Sequence, residues 1–278
     1  MIVNSYSSRA RLIPVARNVP AFPSGISGVE LLARLREQLT PYGVAPERAV
    51  VTSITSVQDG FEVDYRPLDP RDEASRLSVH ARRVVLAAGV QDALPVSANA
   101  AELTRNGVLR LCPICDGYEA DGKRVAMLGP ARSALKHGIF MRTFSRQVSV
   151  LAVDLDALLP EERKAAFAAG VELIAVSSFD LAVGPERVPE VKDIAGVLHG
   201  FDSIYPVMGC HPETDVLRFP VERSEDGMII ADKHQRTSVP RLYAAGDIVN
   251  TLNQISVAAG EAAIAATAVH QSLPHNLL

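Results

Sequence analysis

Apolar positions run along this chain in short blocks, and the spacing inside each block predicts its element. Leu31, Leu32, Leu35 and Leu39 fall on one helical face, with Ser27 placed to cap it, Glu30 three residues later and residues 42–44 closing it. Upstream, Pro14, Pro20 and Pro23 exclude a continuous helix. Downstream, β-type segments at 49–54, 60–65 and 76–81, with a hydrophilic hairpin loop at 69–75, predict a small antiparallel meander.

From residue 83 the pattern changes. Arg83-Val84-Val85-Leu86-Ala87-Ala88-Gly89 is an apolar run into a glycine, as expected of a strand buried on both faces in a parallel sheet. The same grammar returns at 124–129, followed by a helix through Phe140, and again at 148–153, 171–176 and 242–246. An alanine-rich helix is expected at 255–273. Strand, glycine turn and helix, repeated, predict a doubly wound α/β fold.

Composition narrows the class. With 278 residues, 47% of them hydrophobic and 22% charged, the chain can fill one large or two medium domains and is not of disordered type. A net charge of −4 with scattered arginines offers no basic face, so nucleic acid is not an expected partner. No apolar run approaches the ~18 residues of a membrane helix. The first residues do not read as a signal peptide, and three cysteines are too few for a secreted disulfide framework. No membrane partner and a cytoplasmic location are therefore expected.

The chemistry concentrates at Cys112-Pro113-Ile114-Cys115. Such a pair can form a redox disulfide, bind zinc, or simply be two buried thiols. Zinc would want further ligands at close spacing, and the third cysteine, Cys210, is distant, so redox chemistry is favoured and no metal is expected. Asp116, next to the pair, is a natural proton carrier. Gly129-Pro130-Ala131-Arg132-Ser133-Ala134 follows a strand and opens a helix, the context of a G-x-G-x-x-A dinucleotide turn with alanine as its second glycine. Asp154, at the next strand end, could hold the ribose hydroxyls of NAD or be a solvated turn residue. His137, His234 and Cys210-His211 read as surface or turn positions.

These motifs resemble a known family. Cys112-Pro113-Ile114-Cys115-Asp116-Gly117-Tyr118 followed by the Gly129 turn looks like the pyridine-nucleotide domain of low-molecular-weight thioredoxin reductases. Arg241-Leu242-Tyr243-Ala244-Ala245-Gly246-Asp247-Ile248, then Asn253-Gln254, resembles that family's second FAD motif. Ala87-Ala88-Gly89 resembles its crossover, and Arg17-Asn18-Val19-Pro20 its flavin-contacting loop.

The resemblance implies a two-domain, three-layer (ββα) FAD/NAD(P)-binding Rossmann-like fold. An NAD(P)-type domain at 111–234, carrying the cysteines, would be inserted in an FAD-type domain made of 1–110 and 235–278. It implies Cys112 as the exchanging thiol, Cys115 as the thiol facing the flavin, and Asp116 as the acid. FAD would be held by Asn18, Gly89, Gly246, Asp247, Asn253, Gln254 and Ile255, and a nicotinamide dinucleotide by Gly129, Ser133 and Ala134. Electrons would pass from NADPH or NADH through FAD to the Cys112–Cys115 disulfide, and on to a thioredoxin-like protein or a small-molecule disulfide or dithiol. The small domain would rotate between two states, and the protein would be a homodimer.

Three departures from the family pattern are visible. Its first strand, G-x-G-x-x-G turn and helix do not precede residue 1, so the FAD-type domain is expected to be N-terminally truncated, with Asn4 where an acid usually holds the adenosine ribose. Ala131 replaces a glycine. Ala152, Val153 and Asp154 stand where a clamp of histidine and arginines binds the 2′-phosphate of NADPH. Two alternatives follow: a flavin-dependent dithiol oxidase that uses oxygen, and a non-catalytic remnant that holds no FAD.

Overall fold

The computed structural model describes residues 1–68, 76–95, 97, 100–183, 189–250 and 252–274. The expected hairpin loop at 69–75 lies outside the described residues. The chain forms two compact units, one of Met1–Arg9, Glu30–Gln91 and His211–Leu278, the other of Ala10–Val29 and Asp92–Cys210. Residues 10–29 and 92–110 thus pack with the second unit, and residues 211–234 with the first.

In the first unit, the strands Val3–Asn4, Glu47–Val57, Gly60–Pro67 and Leu77–Ala81 form a four-stranded sheet in that order. Val3 lies opposite Glu47 in a parallel pair, and the other pairs are antiparallel, as the meander predicted. Phe61 and Val63 are buried while Glu62 between them is exposed, the period-two pattern of a half-buried strand. They join Ile54, Leu86, Ile229, Leu242, Ala244 and Ile248 in one core. Beside it, Val84–Leu86 pairs parallel with Leu242–Ala244. The helix Ile255–Gln271 follows, two residues shorter than expected, and Ala265 and Ala268 pack on Tyr243 and Ala245. Small side chains at these two positions let helix and strand approach closely, while Ala259, Ala262, Ala263 and Ala266 are exposed.

The second unit is built on a parallel sheet ordered Ser203–Pro206, Arg124–Leu128, Gln147–Ala152, Val171–Ala175. Successive residues face opposite sides, and both sides are covered. Val125, Met127, Val148 and Val150 meet Ala131, Ala134, Leu135 and Met141 of the helix Ala131–Met141, and Ala166 of the helix Pro160–Ala169. On the other side Ala126, Leu128, Leu151 and Ile204 meet Leu103, Val191 and Phe201. Val191 belongs to a three-stranded antiparallel sheet, Ala182–Val183, Pro189–Lys192 and Leu198–Gly200. Helices, parallel sheet and antiparallel strands make three layers. Each fully buried large apolar side chain contributes about 1.5–3 kcal/mol, so this sheet is a rigid base for what projects from its edge. Among the described residues no helix is long and apolar enough to cross a membrane.

Candidate active site

The cysteine pair is placed by the edge of that parallel sheet. The backbone of residues 108–110 runs alongside Ser203–Pro206: Leu109 bridges to Ile204, the Ile204 amide donates to Val108 O (2.9 Å), and the Arg110 amide donates to Ile204 O (2.9 Å). Two residues later Cys112 has extended backbone and caps the short helix Pro113–Asp116, with proline at the first helical position, where its missing N–H costs nothing. The Cys115 amide donates to Cys112 O (3.0 Å), and this single turn brings the two Cα atoms to 5.3 Å. The two sulfurs are joined as a disulfide. Cys210, the remaining cysteine, is not part of a disulfide. Ile114 and Tyr118, on either side of Cys115 in sequence, are exposed.

Asp116 is held from two directions. Arg110 Nη1 donates to its Oδ2 (2.9 Å), and the hydroxyl of the fully buried Tyr205 donates to its Oδ1 (3.0 Å). Arg110 is itself fixed: Nε donates to Gly107 O (3.0 Å) and Ser203 Oγ (3.2 Å), and Nη1 also donates to Glu119 Oε2 (3.1 Å). Glu119 pairs in turn with Arg17 (3.2 Å). Ser203 and Tyr205 are two apart on one strand, so the same sheet face supplies both contacts.

Burial pushes the Asp116 carboxyl above its ordinary range; attraction to Arg110 and the hydrogen bonds from Tyr205 and Arg110 offset only part of this, and Glu119 adds repulsion. Burial by itself would lower the Arg110 guanidinium, but Asp116, Tyr205 and Glu119 outweigh it and the net shift is upward. The Tyr205 phenol is driven far above its usual value, first by burial and then by the charge of Asp116, so it stays a neutral donor.

The Gly129 turn is built for close packing. The Gly129 amide donates to Leu151 O (3.1 Å), and a Cβ there would come within 2.9 Å of Val207 O. Ser133 Oγ donates to Val207 O (3.2 Å), and Ala131 and Ala134 are fully buried. Asp154 is an exposed residue, yet its Oδ1 accepts the Ala131 N–H (2.9 Å). That amide opens the helix Ala131–Met141 and is one that a dinucleotide pyrophosphate would use. Arg132, next to it, pairs with Glu162 (3.3 Å).

In the first unit the two glycines of the flavin-type motifs end neighbouring parallel strands. Gly89 has φ of +74° and Gly246 φ of +82°, a left-handed conformation that favours glycine. Around Gly89 a Cβ would meet nothing within 4 Å, so the turn borders open space. Glu261 accepts the Gly246 N–H (2.7 Å) and the Asn250 amide (2.5 Å). Asp247 pairs with Arg9 (3.7 Å). Gln254 sits at the N-cap of the helix Ile255–Gln271 without a side-chain cap there. Asn253 Oδ1 is buried with no hydrogen-bond partner among the described residues. A buried acceptor left unpaired costs about 1–3 kcal/mol, so the residues present fit a ligand that donates a hydrogen bond there, as FAD can. The fit does not extend to the Gly129 turn, where Asp154 already takes the Ala131 N–H that a nicotinamide dinucleotide would use.

Of the expected site residues, Cys112, Cys115, Asp116, Gly129, Ser133, Ala134 and the exposed Asn18 lie in the second unit, and Gly89, Gly246, Asp247, Asn253, Gln254 and Ile255 in the first. Sequence reasoning missed Arg110, Tyr205, Glu119, Arg9 and Glu261. Arg110 and Glu119 flank the cysteines and could have been found by proximity. Tyr205 is 89 residues from Asp116 and carried no local signal.

Comparisons with known proteins bear on the family and the fold. The profile of the family described as pyridine nucleotide-disulphide oxidoreductase matches residues 13–262. The chain is 26% identical over 256 residues to a thioredoxin reductase of Borreliella burgdorferi, covering 89% of this chain and 76% of that protein. Its fold is similar to that of HlmI, with a TM-score of 0.81 and 25% identity over 97% of this chain and 83% of that one. It is also similar to thioredoxin reductase from Streptococcus pyogenes, with a TM-score of 0.78 and 25% identity over 95% and 86% of the two chains.

Proposed function

Since the chain belongs to the pyridine nucleotide-disulphide oxidoreductase family, we propose that it is a flavin-dependent thiol–disulfide oxidoreductase of thioredoxin reductase type, with Cys112 and Cys115 as its redox pair. The observation that carries this reading is the disulfide closed within one helical turn beside a doubly held carboxylate. By the resemblance, Cys112 exchanges with substrate, Cys115 faces the flavin, and Asp116 moves the proton. The FAD-type domain is assigned to 1–110 and 235–278, and the NAD(P)-type domain to 111–234.

In the direction of dithiol oxidation, a substrate thiolate attacks the sulfur of Cys112. The Cys112–Cys115 bond breaks and Cys115 leaves as thiolate, producing a mixed disulfide on Cys112. The second substrate thiolate attacks the substrate sulfur of that mixed disulfide, so substrate leaves oxidised and Cys112 leaves as thiolate. Asp116 takes a proton from the incoming thiol and passes it to solvent. Reduction of a substrate disulfide is the same sequence reversed. FAD, when bound, supplies the two-electron redox partner of the thiol pair. The partner is a thioredoxin-like protein or a small-molecule dithiol, and we assign a homodimer in the cytoplasm.

A second reading concerns the electron route, and the Asp154–Ala131 contact favours it. With the turn amide taken, the dithiol would reduce the Cys112–Cys115 disulfide, and FAD, when bound, would supply the two-electron chemistry toward molecular oxygen, the overall products being a disulfide and hydrogen peroxide. The test is the flavin spectrum of the whole chain supplemented with FAD, without oxygen. Bleaching by NADPH or NADH supports the reductase route. Bleaching by a dithiol, with peroxide formed on admitting air, supports the oxidase. A chain that takes up no FAD overturns both.

A further inference from the structure

The Asp116 carboxylate is not a free side chain beside the cysteines. Both of its oxygens are committed, one to Arg110 and one to Tyr205, and both donors are anchored by the strand Ser203–Pro206 or the backbone laid against it. Tyr205 is completely buried in the helix-side core, with Met127, Ala131 and Tyr205 in one cluster. Its ring cannot move without opening that core, so its hydroxyl is a fixed point. Arg110 is nearly as constrained, since Gly107 O and Ser203 Oγ hold its Nε. The sheet edge thus sets where the carboxylate oxygens lie.

We propose that Tyr205 and Arg110 are positioning residues for the proton carrier: they fix the Asp116 carboxylate against the rigid sheet edge and thereby set the pH at which the Cys112–Cys115 pair exchanges. The inference rests on the redox role of the cysteines, but it concerns residues outside the motif. The charged and titratable groups facing Asp116 are Arg110, Tyr205 and Glu119, with Arg17 behind Glu119. A hydrogen bond to a charged oxygen favours the ionised form, so losing the Tyr205 donor makes Asp116 hold its proton to higher pH. The strength of such a bond corresponds to about one pH unit.

The test uses the whole chain, reduced, with no flavin or substrate required. The rate of alkylation of the peptide carrying Cys112 and Cys115 is followed against pH by mass spectrometry, which separates it from Cys210. The inflection that Asp116→Asn abolishes is the one to watch. Tyr205→Phe is expected to move it upward by about one unit, and to have no effect on the profile in the Asp116→Asn background. Arg110→Lys leaves Tyr205 in place and is expected to move the same inflection upward, which keeps the test alive if Tyr205→Phe does not fold. A uniform loss of reactivity at all pH values, or an unmoved inflection in a folded variant, overturns the proposal. Because the readout is thiol reactivity, a chain that alkylates as expected but never turns over a dithiol would sink the functional reading while leaving this one intact.

Discussion

The carboxylate of Asp154 accepts the backbone N–H of Ala131, 23 residues earlier in the chain, at 2.9 Å. An acid at the end of the second strand is a ribose-binding residue in dinucleotide folds, but here it is turned onto the helix start, where a pyrophosphate would bind. The contact stabilises the free helix in the manner of an N-cap and opposes a second anion at the same place.

This relationship has a size. A capping contact is worth about 1 kcal/mol, so Asp154→Ser should tighten dinucleotide binding by about fivefold. Adding Ala131→Gly, which removes a methyl buried in the helix-side core, should tighten it no further. Titration of NADH and NADPH by fluorescence checks both; tight binding by the unaltered chain would show that Asp154 swings away at no cost.

The cysteine pair separates chemistry from stability. Cys112→Ser and Cys115→Ser should each abolish dithiol–disulfide exchange, measured as a loss of at least about a hundredfold in turnover. The ring closed by the disulfide is short, so its removal should lower unfolding free energy by no more than about 2 kcal/mol, seen in urea melts of Cys112→Ser against the oxidised chain.

Asp116 gives a stability–pH prediction with a defined sign. Its carboxyl is raised in the folded chain, chiefly by burial. Folding therefore favours the protonated form: the contribution is fully present below the ordinary aspartate value and is lost as pH rises through the raised one. The difference in melting temperature between the unaltered chain and Asp116→Asn should shift against the aspartate as pH climbs through that window. A difference constant from acid to neutral pH would contradict the assigned direction.

Asn253 carries the flavin assignment. Its backbone lies at φ of +54°, which glycine adopts freely, so Asn253→Gly removes the orphaned Oδ1 and spares the turn. FAD affinity is expected to fall about tenfold, equivalent to one lost hydrogen bond, read from equilibrium dialysis. Unchanged affinity would mean that the buried oxygen serves something else.

The elements legible in the sequence are those whose signal is local. The strands Arg124–Leu128, Gln147–Ala152 and Val171–Ala175 are mostly apolar, and the disulfide closes across two intervening residues, so both are visible without a partner. Ser203–Pro206 is four residues long with a serine and a proline, too short for any period to show, although it forms the sheet edge that carries Tyr205. The strands Pro189–Lys192 and Leu198–Gly200 are equally brief. The Tyr205–Asp116 contact spans 89 residues, and only the three-dimensional register of the parallel sheet creates it.

The most direct test of the central claim is anaerobic reduction of the FAD-supplemented chain by a dithiol. The flavin band should bleach with the unaltered protein and stay unbleached with Cys115→Ser. Bleaching that is equally fast in Cys115→Ser would contradict the claim that the Cys112–Cys115 pair carries the electrons.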